Sequence, residues 1–319
     1  MNKITSLLIN ASSLILCFIF FAVYNSFFII HEDTIVKIRG GRSLGVVILE
    51  LEKDSILNFF NKKFFLHSVS GNIRAGHYKV FKGETIFSFA KRIKSGDSEM
   101  CTITFIPGKT VSYYIEQINS SDDFYGEISR KPHEGSILPE SYKHKCQTSR
   151  QAVLDCAQSF MSKTLDEALK DYNFENSHLK SRFDILTMAS IIEKETSIIE
   201  EMPKISSVFK NRMNIGMKLQ TDPTVIYQIT NETGILDRRL TLDDLKSQGA
   251  WNTYVIDGLP LTPIANPSIE AINAAIHPSE TDYIFFVASG NGGHIFAKTY
   301  KEHLLNVEKY RKLQASLNS

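Results

Sequence analysis

Ile185-Leu186-Thr187-Met188-Ala189-Ser190-Ile191-Ile192-Glu193-Lys194-Glu195-Thr196-Ser197-Ile198-Ile199 reads as an amphipathic helix with one carboxylate on its apolar face. Take Ile185 as zero and advance about 100° per residue. Met188, Ala189, Ile191, Ile192, Ile198 and Ile199 then fall in one arc, from roughly 220° through 320° to 40°. Lys194 falls near roughly 180°, where a solvated charge belongs, and Glu193 near about 80°, at an edge. Glu195 falls near roughly 280°, inside the apolar arc. An ionised, unpaired carboxylate is costly there. Its pKa rises, so it holds a proton near neutral pH. That is the state a general acid needs in order to protonate a leaving glycosidic oxygen. The competing reading is structural: Glu195 pairs with an arginine such as Arg212, or caps a neighbouring helix.

Downstream lies a dense polar stretch, Leu219-Gln220-Thr221-Asp222-Pro223-Thr224-Val225-Ile226-Tyr227. Pro223 suits a first helical turn, and Thr221 or Asp222 suits the cap. Trp251-Asn252-Thr253-Tyr254 and Gly258-Leu259-Pro260-Leu261-Thr262-Pro263 follow, with the Gly and Pro content of a fixed, irregular loop. Aromatic faces beside amide groups suit a sugar cleft, and they also suit an ordinary loop.

Helical spacing predicts helices over 150–169, 183–199, 202–215 and 268–276, and from about Tyr300 to the end. A strand is expected over Tyr283–Ala288, before the turn Gly290-Asn291-Gly292-Gly293. The fold class is α+β, since strands and helices do not alternate as βαβ units. Neither a GxGxxG loop nor a P-loop lysine is present, and no cofactor is expected. His277 and His294 lack the H-E-x-x-H spacing of a metal site, and no metal is expected.

The N-terminus is of another kind. From Ile4 to Ile30 there is no Asp, Glu, Lys or Arg. A bilayer takes about 20 apolar residues as a helix. A buried core helix is rarely so long and so apolar. A cleaved signal needs a shorter apolar stretch and a small-x-small site, which Phe20-Phe21-Ala22-Val23-Tyr24-Asn25-Ser26 does not offer. Leu16 stands before Cys17 where lipidation needs a small residue. A retained single-pass anchor over 1–31 is the expectation, with the bulk of the chain outside the cytoplasm. The net charge of +1 gives no reason to expect a nucleic-acid partner. Outside the membrane segment the cysteines are Cys101, Cys146 and Cys156, an odd number, so at least one stays outside any internal disulfide.

Between anchor and helices, Gly41-Arg42-Ser43, Gly83-Glu84-Thr85 and Gly108-Lys109-Thr110 each precede apolar residues at helical spacing. Each reads as a turn glycine followed by a helix cap. The middle one, within Tyr78–Ile93, resembles the strand, turn and first helix of the LysM glycan-binding module. It reads equally as a generic strand-turn-helix spacer. The expected domains are the anchor at 1–31, a LysM-like subdomain at 32–98, a connecting segment at 99–149 and a catalytic domain at 150–319.

Several motifs occur in a telling order: Ala189–Thr196, Leu219–Tyr227, Asn252-Thr253-Tyr254, Gly258-Leu259-Pro260, Ile264-Ala265-Asn266-Pro267, Ala275-Ile276-His277-Pro278, Phe286-Val287-Ala288 and Gly292-Gly293-His294-Ile295-Phe296. Together they closely resemble the YceG-like (MltG) family of endolytic murein transglycosylases, specifically over about 185–300. The resemblance extends more weakly through Glu134-Gly135 and Leu138–Tyr142 to the membrane segment. It implies an enzyme of the inner (plasma) membrane with its catalytic domain on the periplasmic or outer side. It implies cleavage between N-acetylmuramic acid and N-acetylglucosamine inside glycan strands. The muramic C6 hydroxyl displaces the leaving sugar and leaves a 1,6-anhydro end. The family's catalytic glutamate is the second of Glu-Lys-Glu-Thr, here Glu195. Gln220, Asp222, Asn252 and Tyr254 are the candidates for orienting the sugars. Implied partners are peptidoglycan strands, the membrane and cell-wall synthesis proteins. Trp251 stands where the family commonly has Tyr. Two other readings stay open: a hydrolytic muramidase, with Asp222 as second carboxylate, and a non-catalytic wall-binding scaffold.

Overall fold

A helix of 26 residues, α1 (Lys3–Phe28), occupies the predicted membrane segment. This computed structural model describes residues 3–317, and the side chains of 1–11, 25–27 and 317–319 lie outside the described residues. From Ser12 to Val23 α1 is exposed, Leu14, Leu16, Phe18, Phe20 and Phe21 among its residues, while Phe28 at its end is half-buried. Within the predicted span, the side chains of 4–11 and 25–27 fall outside the described residues. Among the described residues no helix is long and apolar enough to cross a membrane.

β1 (Thr34–Ile38), α2 (Leu44–Lys53), α3 (Lys62–Val69), β2 (Gly76–Val80) and α4 (Ile86–Ser95) follow. β1 and β2 are antiparallel, with Thr34 opposite Val80 and Ile38 opposite Gly76. Val36, Ile38, Tyr78 and Val80 bury one face of this pair against Leu51, Phe65, Phe89 and Ile93. The strand of the Tyr78–Ile93 unit therefore pairs backward with β1, not with β3 (Met100–Thr104), whose partner lies beyond it. α5 (Val111–Ser120) comes next. Gly41, Gly83 and Gly108 all sit at positive φ, the conformation their turns require. Thr85 and Thr110 accept the N–H groups of Ser88 and Tyr113, while Ser43 precedes α2 without such a bond.

The span 99–149 is not a linker. Besides β3 and α5 it holds β4 (Phe124–Tyr125), β5 (Ser141–Lys145) and β6 (Thr148–Ser149). β3 pairs with β5, and β4 runs parallel to β6. The chain divides into two compact units: 1–102 with 121–127 and 143–150, and 103–120 with 128–142 and 151–319. Polar side chains of this span satisfy backbone groups elsewhere. Glu134 accepts the Val111 N–H at 3.0 Å, and Gln147 accepts the Gly40 N–H at 3.3 Å. Within the first unit Cys101 and Cys146 form a disulfide, leaving Cys17 and Cys156 as exposed thiols.

The second unit is mainly helical: α6 (Arg150–Ala168), α7 (Arg182–Glu195), α8 (Met202–Asn214), α9 (Asp222–Ile229), α10 (Leu242–Lys246) and α11 (Ile269–Ile276). The hairpin of β7 (Phe285–Ala288) and β8 (His294–Ala297) follows, then α12 (Tyr300–Leu317). Ile185, Met188, Ile191 and Ile192 of α7 are fully buried against Ile205 and Phe209 of α8 and Ala271, Ile272 and Ala275 of α11. The helix predicted to reach Ile199 stops at Glu195. Thr196 turns extended at φ −147°, and Ile199 is an exposed residue outside the helix. The isoleucine repeat imitates a longer helix; the chain leaves it where Glu195 must face a cavity.

Candidate active site

Glu195 is the last residue of α7, and the fit of that helix into the core fixes its place. Ser190 donates to the Thr187 carbonyl and accepts the Ile264 N–H, tying the helix to the Pro-rich loop. Glu193 accepts both the N–H and the hydroxyl of Ser268, the N-cap of α11. Glu193 is thus committed to holding two helices together, and Glu195 alone of the two faces a cavity.

That cavity, of about 340 Å³, is lined by Glu195, Arg212, Gln220, Asp222 and Tyr254, with Phe285, Phe286, Tyr300 and His303 as its aromatic wall. Burial pushes the Glu195 pKa up, and the Asp222 charge adds to the rise. The Thr221 hydroxyl, His294 and Arg212 pull the other way and do not reverse it. Thr221 is buried, and its hydroxyl makes no other hydrogen bond. The arginine pairing weighed from sequence does not occur. The Arg212 guanidinium donates to the carbonyls of Ile284 at 2.7 Å and Leu219 at 2.5 Å, and lies over the Phe285 ring. His294 is held by Glu201, its Nδ1 lying 2.8 Å from the carboxylate.

Gln220, Asp222 and Tyr254 reach this cavity by one local device. Gln220 adopts φ 50°, and its N–H donates to the Thr253 carbonyl at 3.1 Å. Thr253 also bonds the Thr221 N–H and the Thr224 hydroxyl, so the loop at 251–254 is clamped to the start of α9. The Tyr254 hydroxyl then donates to Asp222 at 2.6 Å. That bond and burial, burial first, raise the tyrosine's pKa.

Asn252 is different, and the expectation that it orients sugar is corrected. It is fully buried. Its amide donates to the carbonyls of Leu245 and Ser247, and its oxygen accepts the Tyr254 N–H. These bonds go into shaping the loop. The aromatic wall of Phe285, Tyr300 and His303 escaped the sequence reading. Its members lie on a strand and a helix, and only the fold brings them beside α7; the 5.1 Å stack of Phe285 on His303 leaves no mark in sequence spacing.

A second acidic group is also perturbed. Glu134 accepts from the Val111 N–H and the Asn266 amide, and burial raises its pKa to about 7. It stands in the second unit behind Tyr227, whose hydroxyl lies 3.5 Å away. It is a framework group, coupling α5 to the Asn266 loop.

Against known proteins, the sequence profile of the YceG-like family matches residues 36–309. The chain belongs to the YceG-like family. The YceG-like chain is 29% identical to the endolytic murein transglycosylase of Bacillus subtilis, over 86% of its own length and 84% of that protein. It is 28% identical to an endolytic murein transglycosylase of Streptococcus pneumoniae, over 56% of its length but only 32% of that longer protein. Among solved structures, the crystal structure of a yceG-like protein from Listeria monocytogenes superposes with a TM-score of 0.52 at 25% identity. That match covers 86% of this YceG-like chain and 98% of the other.

Proposed function

We propose that this protein is an endolytic peptidoglycan transglycosylase, cutting glycan strands between N-acetylmuramic acid and N-acetylglucosamine without water. One observation carries the chemistry: a cavity with a single sheltered glutamate whose pKa is raised. The relatives named as endolytic murein transglycosylases supply the substrate. Protonated Glu195 gives its proton to the glycosidic oxygen as the bond from C1 breaks. The muramic C6 oxygen closes on C1, and the Glu195 carboxylate takes the C6 hydroxyl proton. The carboxyl group ends as it began, and the products are a free N-acetylglucosamine 4-hydroxyl and a 1,6-anhydro end. Gln220, Asp222 and Tyr254 are placed to orient the sugars, and Tyr300 to stack against them.

Asp222 on the same cavity favours one rival, hydrolysis with a second carboxylate. Mass spectrometry of digested strands separates them, since a hydrolysed muramic end is heavier by one water. Anhydro ends are the expected product; reducing muramic ends would overturn the lyase reading.

The proposal includes a single-pass anchor that places both units on the outer side of the plasma membrane, where synthesis proteins would recruit it. Support comes from the charge-free run 4–30 and the bare apolar surface of α1. At the end of α1, Phe28 stacks on Phe87 at 5.6 Å and meets Phe64 edge-on at 5.2 Å. Phe59, 87% exposed, Phe60, Lys62 and Lys63 stand beside Phe64. Aromatic rings with lysines are the composition of a bilayer interface. Alkaline carbonate washing of membranes should leave the full chain in the pellet, and its release would refute the anchor.

A further inference from the structure

The cavity holding Glu195 includes Asp222, the first residue of α9. A neighbouring hollow of about 620 Å³ takes Asp222 as one wall and Ile226, Gly234 and Ile235 as another. Those last three also line a deeper cavity of about 240 Å³, closed by Lys109, Lys194 and Tyr113. The first two hollows share Asp222 and the last two share Ile226, Gly234 and Ile235; Glu195 lines the first, Arg238 and Arg239 the second, and two ammonium groups the third.

Neither lysine has an ion-pair partner among the described residues. Lys194 reaches only the Gly108 carbonyl, at 3.4 Å, and Lys109 lies 4.9 Å from the Tyr113 ring centre. Burial, and then the charge of Lys109, pull the Lys194 pKa down; Glu193 offsets this only in part, its carboxylate being engaged by Ser268. Two ammonium groups close enough to disfavour one another repel unless an anion comes between them. The place is also rigid. Asn266, fully buried, donates both its backbone N–H and its amide to the Lys109 carbonyl, and its own carbonyl accepts the Gly108 N–H.

We propose that Lys109 and Lys194 form a subsite for a carboxylate on the peptide stem of the glycan strand. The inference rests on the peptidoglycan reading above. The lactyl carboxyls of a stem-bearing strand are tied up in amides and its sugars are neutral, so an anion arriving at the lysines comes from the stems. Tyr113 and Tyr227 flank the lysines, and Ile226 and Ile235 offer apolar contact to the stem's side chains. The enzyme would thereby prefer strands whose stems keep a free carboxylate.

The test uses full-length protein carrying Glu195→Gln, so that binding is read without cleavage. Soluble glycan fragments with intact stems are titrated against the same fragments whose stem carboxylates have been amidated. Fragments with free stem carboxylates should bind at least about tenfold tighter, the scale of a charge-assisted hydrogen bond. Lys109→Met should bring the ratio of the two dissociation constants towards one, and Lys109→Arg should keep most of it. Equal binding of the two fragments, or a ratio untouched by Lys109→Met, overturns the subsite. Release of anhydro ends by wild-type protein is scored separately. A failure there refutes the proposed activity and leaves the binding ratio to judge the subsite.

Discussion

Glu195→Gln is expected to lower the rate of anhydro-end formation by about 10²- to 10⁴-fold, the usual worth of a positioned acid and base. Here one group performs both duties, so the upper part of that range is expected. Gln keeps the shape and cannot give up a proton. The pH profile follows from the direction of the Glu195 shift. The donor must start protonated, so the wild-type rate should hold through the ordinary carboxylate range and fall only above the raised pKa. Stability runs the same way. Above the ordinary value of 4.5 the unfolded chain releases this proton while the folded chain retains it. The native state therefore loses stability as pH rises from there towards the folded pKa. Glu195→Gln removes that loss, so the inactive variant should melt higher than wild type at pH 7 and equally at pH 4. A variant that still cleaves at the wild-type rate would dismiss Glu195 as the donor.

The second large effect concerns the first unit. The Cys101–Cys146 bridge closes a span of 45 residues. By the chain-entropy account, a loop of that size stabilises by about 4 kcal/mol. Replacing both cysteines by serine, or adding reductant, should lower the melting transition of this unit accordingly, while Cys156→Ser should leave it in place. Superimposable denaturation curves with and without reductant would contradict the estimate.

What the sequence reveals and conceals here follows from range. Glu195 is legible because a helix repeats locally: the spacing of the apolar residues from Ile185 on suffices to set it apart from Glu193. The helix end is not legible, because Ile198 and Ile199 keep the rhythm after the backbone has turned extended. Asn252 misleads for a related reason. A polar side chain beside aromatic residues looks like a ligand contact, and only the positions of Leu245 and Ser247 reveal that its partners are backbone carbonyls. Lys194, placed by the wheel in open solvent, lies over a hollow formed by Gly108 and Tyr113 from α5 and its turn. The disulfide was undecidable among three cysteines, since pairing depends on how β3 meets β5.

Arg212 has a consequence of its own. Its guanidinium is moored to two peptide carbonyls, so its positive charge cannot swing in and clasp the glutamate. A clasp would trap Glu195 as an anion and disarm it. A charge kept at a fixed remove biases the proton inventory of the cycle more gently. It eases the interval in which the spent carboxylate waits for the C6 hydroxyl, and leaves recharging downhill. With a neutral residue in its place, the pocket would hold its proton more firmly and part with it more slowly.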